Sequence, residues 1–349
     1  MRKFLGLILV AVLAFAGWLA WALLTPVEPQ AETFVMLRPG FSTRRIASEL
    51  KSSGIIRSER AFILWHYLHR GRSLKAGEYR FDKSRNMIDV HNRLARGDVY
   101  FRTVIVPEGF TMFDIARAVE EAGLGPADDF LKVAQSDTAL IADIAPNAPS
   151  LEGYLFPDTY EFSRMQTMHD IAAVMVRQFR QVARQIGLIP TAGGQTESGQ
   201  SAPAQSDQGQ ANDNLERTVI MASIIEKETA VGEERALVAS VYYNRLAKKI
   251  ALDADPSVIY AELLAGTYSG ALHHDDMRFN SPYNTYTHTG LPPGPIGNPG
   301  KSALEAAVHP AQSDYYYFVA DAAGQHRFAR TIEEHNQNVA AYRRAMRGK

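Results

Sequence analysis

The uncharged run from Phe4 to Leu24, preceded by Arg2 and Lys3, constrains this chain more than any other feature. Taken as a helix, it is long enough to cross a hydrocarbon core of about 30 Å. Trp18 and Trp21 stand near its outer end, where indole rings favour the membrane interface. The two basic residues place the N-terminus in the cytoplasm and the rest of the chain outside. A cleaved signal peptide is the alternative, with Ala20-Trp21-Ala22 loosely resembling a cleavage site. The run is, however, longer than the usual signal core of about 7–15 residues. The expectation is a single-pass inner-membrane protein with residues 1–25 as tip and anchor and its bulk in the periplasm. Cysteine is absent, which removes disulfides, a thiol nucleophile and cysteine-bound metal centres from consideration. A net charge of −1 supplies no basic field for nucleic acid.

After a Pro-containing linker, the sequence repeats itself. Val35-Met-Leu-Arg-Pro-Gly40-Phe41-Ser42 aligns with Val104-Ile-Val-Pro-Glu-Gly109-Phe110-Thr111, and the register continues through Ile46/Ile115, Ala47/Ala116 and Gly54/Gly123. Tyr79, Phe81, Met87 and Asp89 then match Tyr160, Phe162, Met168 and Asp170, after a short insertion in the second copy. Each copy reads as a strand, a glycine turn and a helix capped by Ser42 or Thr111, followed by a second strand and helix. Residues 33–98 and 102–186 are thus expected to be two related small α/β units. The first has the strand–helix–helix–strand pattern of a LysM-like glycan-binding module, with a generic α/β packing unit as the alternative. Residues 191–214, rich in Gln, Ser, Gly and Ala and without an aromatic residue, bury too little to order themselves and read as a disordered insertion. A helix-rich domain is expected over 215–346, making the fold class α+β.

The sharpest chemical signal lies on the expected helix Leu215–Ala230. Met221, Ile224, Ile225 and Glu228 share one stripe at helical spacing, while Glu226 falls on the opposite side. A carboxyl group at the end of an apolar stripe is desolvated, which raises its pKa and keeps a general acid available near neutral pH. Periodicity alone leaves open that the stripe has ended and Glu228 begins a solvated helix end. His273-His274-Asp275-Asp276 has no ligand spacing that supports a metal, and His66 and His69 read as surface residues of one helix face. Neither a metal nor a cofactor is expected.

Met221-Ala-Ser-Ile-Ile-Glu-Lys-Glu-Thr-Ala230 resembles the Glu-Ser helix of lytic transglycosylases, with Glu228-Thr229 in the place of Glu-Ser. The chain is more similar still to the YceG-like endolytic murein transglycosylases. The similarity runs in order through Leu151-Glu-Gly-Tyr-Leu-Phe-Pro157, Val238-Ala-Ser-Val-Tyr-Tyr-Asn-Arg-Leu246 and Asp255-Pro-Ser-Val-Ile-Tyr260. It continues through Tyr283-Asn-Thr-Tyr286, Gly290-Leu-Pro-Pro-Gly-Pro-Ile296, Asn298-Pro-Gly300, Tyr317-Phe-Val-Ala-Asp321 and Glu334-His-Asn336. This resemblance implies cleavage of the β-1,4 bond between N-acetylmuramic acid and N-acetylglucosamine without water. The sugar's own C6 hydroxyl attacks C1 and leaves a 1,6-anhydro end. Glu228 would be acid and then base, with Glu226 its rival. The implied substrate is nascent peptidoglycan, cut within strands so that their length is set, beside the synthases of the wall.

Tyr283, Asn284, Thr285 and Tyr286 are candidates for substrate binding, since amides and hydroxyls beside aromatic faces suit sugars; an ordinary loop with an Asn-capped turn is the alternative. Asn244 and Asp255 are further candidates, and Asp255, ahead of Pro256, would also serve as a helix cap. Two other classes of function remain open from the residues: a silent glycan-binding scaffold, and a hydrolase in which Asp255 activates water.

Overall fold

The computed structural model describes residues 2–69, 71–190, 205–321 and 324–347. Helix α1 (Arg2–Leu24) has 23 residues, about 35 Å at 1.5 Å per residue, which matches the thickness of a membrane core with its margins. Its side chains are presented outward, with Phe4 70% and Leu7 71% exposed, as expected of a helix whose partner is lipid. Only its last turn is enclosed: Ala22 and Leu23 enter the core of the first compact unit. There the Arg57 guanidinium lies 5.1 Å from the Trp21 ring.

That unit comprises Met1–Thr103 with Glu161–Thr167. Strand β1 (Thr33–Leu37) is followed by α2 (Thr43–Ser52), α3 (Glu59–Leu68), β2 (Gly77–Phe81) and α4 (Met87–Arg96). β1 and β2 pair antiparallel, with Val35 opposite Tyr79. Ser42, Ser58 and Asn86 cap the three helices through their side chains, each accepting from a backbone N–H three residues on. Alternation along the strands sends Val35, Leu37, Tyr79 and Phe81 inward onto Ile46, Leu50, Phe62 and Leu94.

The second unit comprises Val104–Tyr160 with Met168–Lys349. In chain order β3 (Arg102–Ile105), α5 (Met112–Glu121), α6 (Ala127–Ser136), β4 (Thr159–Phe162) and α7 (Met168–Gln185) follow the same strand–helix–helix–strand–helix order as before, with the unit boundary falling inside β3 and β4. Gly40 and Gly109, at matching places ahead of α2 and α5, both take left-handed backbone angles (φ 82° and 78°), which explains glycine there. Thr111 and Asp114 form a capping box at the start of α5.

The remaining elements are α8 (Gln205–Glu228), α9 (Arg235–Ala247), α10 (Asp255–Ala265), α11 (Lys301–Val308), the hairpin β5 (Tyr317–Ala320) and β6 (His326–Ala329), and α12 (Ile332–Arg347). α8 is the spine, packed by α9, α10 and α11. The expected disordered insertion needs correction. Its residues 191–204 lie outside the described residues, but 205–214 form the first turns of α8 rather than a structureless tail. Once the packed half of a helix exists, each added residue gains a backbone hydrogen bond without a new nucleation cost. Asn212 Nδ2 reinforces this by donating to the Asp143 carbonyl (3.2 Å). Of the expected hairpin turn Ala323-Gly324, Ala323 lies outside the described residues.

Candidate active site

From Val219 to Ile225 every residue of α8 is buried, so the helix is enclosed all round rather than along one stripe. Its polar Ser223 survives there because Oγ donates to the Ile220 carbonyl (2.7 Å) and accepts from the Ile296 N–H (3.0 Å). The spine therefore delivers its final residues, Glu226 and Glu228, out of a dry core.

The two carboxylates have different fates. Glu226, with its side chain 5% exposed, accepts from Arg235 Nη2 (2.8 Å) and from the Gly300 N–H (2.9 Å). It ties α8 to the starts of α9 and α11. Glu228 instead opens on a polar cavity of about 290 Å³. Burial pushes its pKa up to about 7, hydrogen bonding with the Tyr242 hydroxyl opposes the rise, and the charge of Asp255 adds to it. A group with that pKa is present in both acid and base forms near neutral pH.

The cavity is assembled from distant segments. Tyr242 and Arg245 come from α9, Asp253 and Asp255 from the approach to α10, and Tyr286 from the following loop. Tyr316, Tyr317 and Phe318 of the hairpin, with His335 of α12, complete it. Arg245 donates to the Leu252 carbonyl (2.7 Å) and to Asp253 Oδ2 (2.9 Å), and its guanidinium lies 5.3 Å from the Tyr317 ring. Asp253 holds a left-handed backbone (φ 51°), an uncommon conformation for a residue with a Cβ. Tyr286 Oη donates to Asp255 Oδ1 (2.5 Å). Phe318 meets the Tyr242 ring edge-on at 5.7 Å and fixes its orientation.

Of the residues expected to bind substrate, Tyr286 and Asp255 therefore share this cavity with Glu228. Asn284, Thr285 and Asn244 have their side-chain polar atoms committed to the fold, and Tyr283 is not among the residues that line the cavity. Asn284, with no exposed surface, donates to the Met277 and Phe279 carbonyls (3.1 and 2.8 Å) and accepts from the Tyr286 N–H. Thr285 Oγ1 accepts from the Ala254 N–H (3.0 Å) and bonds Ser257 Oγ (2.8 Å), pinning this loop to the start of α10. Asn244 donates to the Ser313 and Tyr315 carbonyls (2.9 and 3.0 Å), holding the approach to the hairpin. Tyr283 lies 5.2 Å from the Tyr260 ring, and burial pushes its hydroxyl up to about 12. In the His273–Asp276 segment, Asp276 accepts from the His273 N–H (2.6 Å) in a capping box.

Sequence reasoning singled out neither Tyr242 and Arg245 nor the hairpin residues as members of the site. Tyr242 and Arg245 were detectable in principle, being three residues apart and so on one face of α9. The hairpin side chains carry no such signal, because only tertiary folding brings them to α8.

The family model described as the YceG-like family matches residues 35–341. The chain belongs to the YceG-like family. Among related family members, the endolytic murein transglycosylase of Bacillus subtilis strain 168 is 33% identical over 92% of this chain and 88% of its own length. Those of Streptococcus pneumoniae are 27% identical, and the chain spans 64% of their length. A crystal structure of a YceG-like protein from Listeria monocytogenes superposes with a TM-score of 0.55 and 30% identity, covering 88% of this chain and 98% of that one.

Proposed function

We propose that this YceG-like chain is an endolytic peptidoglycan lytic transglycosylase, a lyase that cuts β-1,4 bonds between N-acetylmuramic acid and N-acetylglucosamine inside glycan strands. The observation that carries the chemistry is the Glu228 carboxyl, raised to about 7 by burial in the wall of a polar, tyrosine-lined cavity. In its acid form Glu228 gives its proton to the bridging O4 as the C1–O4 bond breaks. The resulting carboxylate takes the proton of the C6 hydroxyl as O6 bonds to C1. The products are a free 4-hydroxyl and a 1,6-anhydro ring, and the enzyme regains its proton with no water consumed. Glu226, bound by Arg235 and Gly300, does not line this cavity and is assigned to holding α8 in place.

Direct glycan contact is assigned to Tyr286 and Asp255. Tyr283, Asn284, Thr285 and Asn244 act by shaping the walls. The antiparallel β1–β2 pair with two intervening helices supports a LysM-like, glycan-gripping role for residues 33–98. The exposed apolar surface of α1 supports a single inner-membrane span that keeps the catalytic unit in the periplasm near nascent strands and their synthases. Cutting there would set strand length.

Digestion of purified, uncrosslinked glycan strands in isotopically heavy water tests the reaction type. Internal fragments with anhydro ends and no solvent oxygen are expected. Reducing ends carrying the heavy oxygen would instead assign a hydrolase, with Asp255 as the group that activates water, and no cleavage would leave a glycan-binding scaffold.

A further inference from the structure

The charges around Glu228 do not balance, and the imbalance has a chemical use. Among the groups that face it, Arg245 on α9 is paired with Asp253 at 2.9 Å. His335 on α12, stacked on Tyr317, is held below the ordinary imidazole range by burial and by Arg245, so it is neutral near pH 7. The Tyr242 and Tyr286 hydroxyls are raised by burial and stay uncharged. Tyr316 and Tyr317 add only phenols. That leaves Asp255, which makes no salt bridge among the described residues and whose acceptor oxygen is met by a neutral donor, Tyr286 Oη. Its position in the first turn of α10, with Pro256 after it, fixes the carboxylate by backbone geometry.

We infer that Asp255 is a second carboxylate of the reaction, an anion that stabilises the positive charge developing at C1 while taking no proton and forming no bond. The inference rests on the transglycosylase reading of Glu228. As the C1–O4 bond lengthens, O4 leaves with the Glu228 proton and C1 and the ring oxygen become electron-poor, until the C6 oxygen closes the ring. A fixed anion beside C1 binds that positively charged transition state better than the uncharged substrate, which is the condition for catalysis. The same anion discourages Glu228 from ionising, so the acid stays protonated until the leaving group takes its proton. Tyr286, besides its contact with the glycan, holds the carboxylate toward the ring.

The test uses the full chain in detergent micelles, with strand cleavage scored by anhydro ends. Asp255→Asn keeps shape and removes charge. It should lower kcat about 100-fold or more with little change in KM. It should also move the alkaline limb of the pH profile to lower pH, because Glu228 loses the neighbour that holds its proton. Tyr286→Phe keeps the charge and should cost much less. A loss confined to KM, an unmoved limb, or near-normal kcat in Asp255→Asn would overturn the inference. The N-cap of α10 is Ala254, so Asp255 does not cap the helix as its place before Pro256 suggested, and should Asp255→Asn melt early, Asp255→Ser carries the same expectations. A Glu228→Gln chain that still makes anhydro ends would instead sink the underlying assignment of the acid.

Discussion

Removing the Tyr242 hydroxyl should move the working pH range of the enzyme upward. The phenol donates to Glu228 and favours its charged form, acting against the burial that raises the pKa to about 7. A hydrogen bond to a charged group is worth about 1.5–3 kcal/mol. About 1.4 kcal/mol corresponds to one pH unit of titration. Glu228 still opens on the cavity, so solvent takes up part of the loss and the low end of that range applies. In Tyr242→Phe the carboxylate form is the one that loses a partner. The acid form therefore persists to higher pH, and the alkaline limb of kcat/KM should rise from about 7 to about 8. The ring remains edge-on to Phe318, so packing is preserved. The assay is strand cleavage across pH in wild type and variant, with melting temperatures matched. An unmoved limb, or one displaced to lower pH, would refute the role given to Tyr242.

Other perturbations separate structure from chemistry. Glu226→Gln breaks an ion pair whose side chains are 5% and 9% exposed, and should cost about 3 kcal/mol of stability while leaving anhydro products, read by thermal melts beside product analysis. Gly153→Ala should destabilise by about 3 kcal/mol or more, because Gly153 has φ 87° and a Cβ would come within 2.5 Å of the Pro295 ring and 2.9 Å of Val219; a melt within a degree of wild type would contradict this. Buried His91, held down to about 4 by burial and by His66, His69 and Arg72, is neutral when folded. The unfolded chain takes up a proton there near pH 6.5, so the first unit should lose up to about 3 kcal/mol as pH falls from 6.5 to 4, seen as faster amide exchange in α3 and α4.

Local features of this fold were legible wherever a residue acts on its own neighbours. Ser42 and Thr111 cap helices in the structure as their positions suggested, and the glycines ahead of them take the left-handed turns. The α8 stripe led to Glu228, although the helix proved enclosed on every side, a fact that a periodicity argument misses because Val219 and Ala222 are apolar off the stripe too. Polar loop residues were harder to interpret. Asn284 and Thr285 have the composition of a sugar-binding loop, yet their hydrogen bonds close the loop itself and pin it to α10. Residues that meet Glu228 from the hairpin and α12 lie far along the chain, and no spacing rule connects them. The first turns of α8 were hidden by their composition, because tertiary packing further along the helix, rather than the propensity of those residues, carries them.

The most direct measurement pairs the full chain with its Glu228→Gln variant on purified glycan strands, with products identified by mass spectrometry. Internal fragments ending in anhydro sugars from the wild type, and none from a variant that melts normally, are the expected result. Anhydro fragments from both chains would contradict the assignment and return the acid's role to another group.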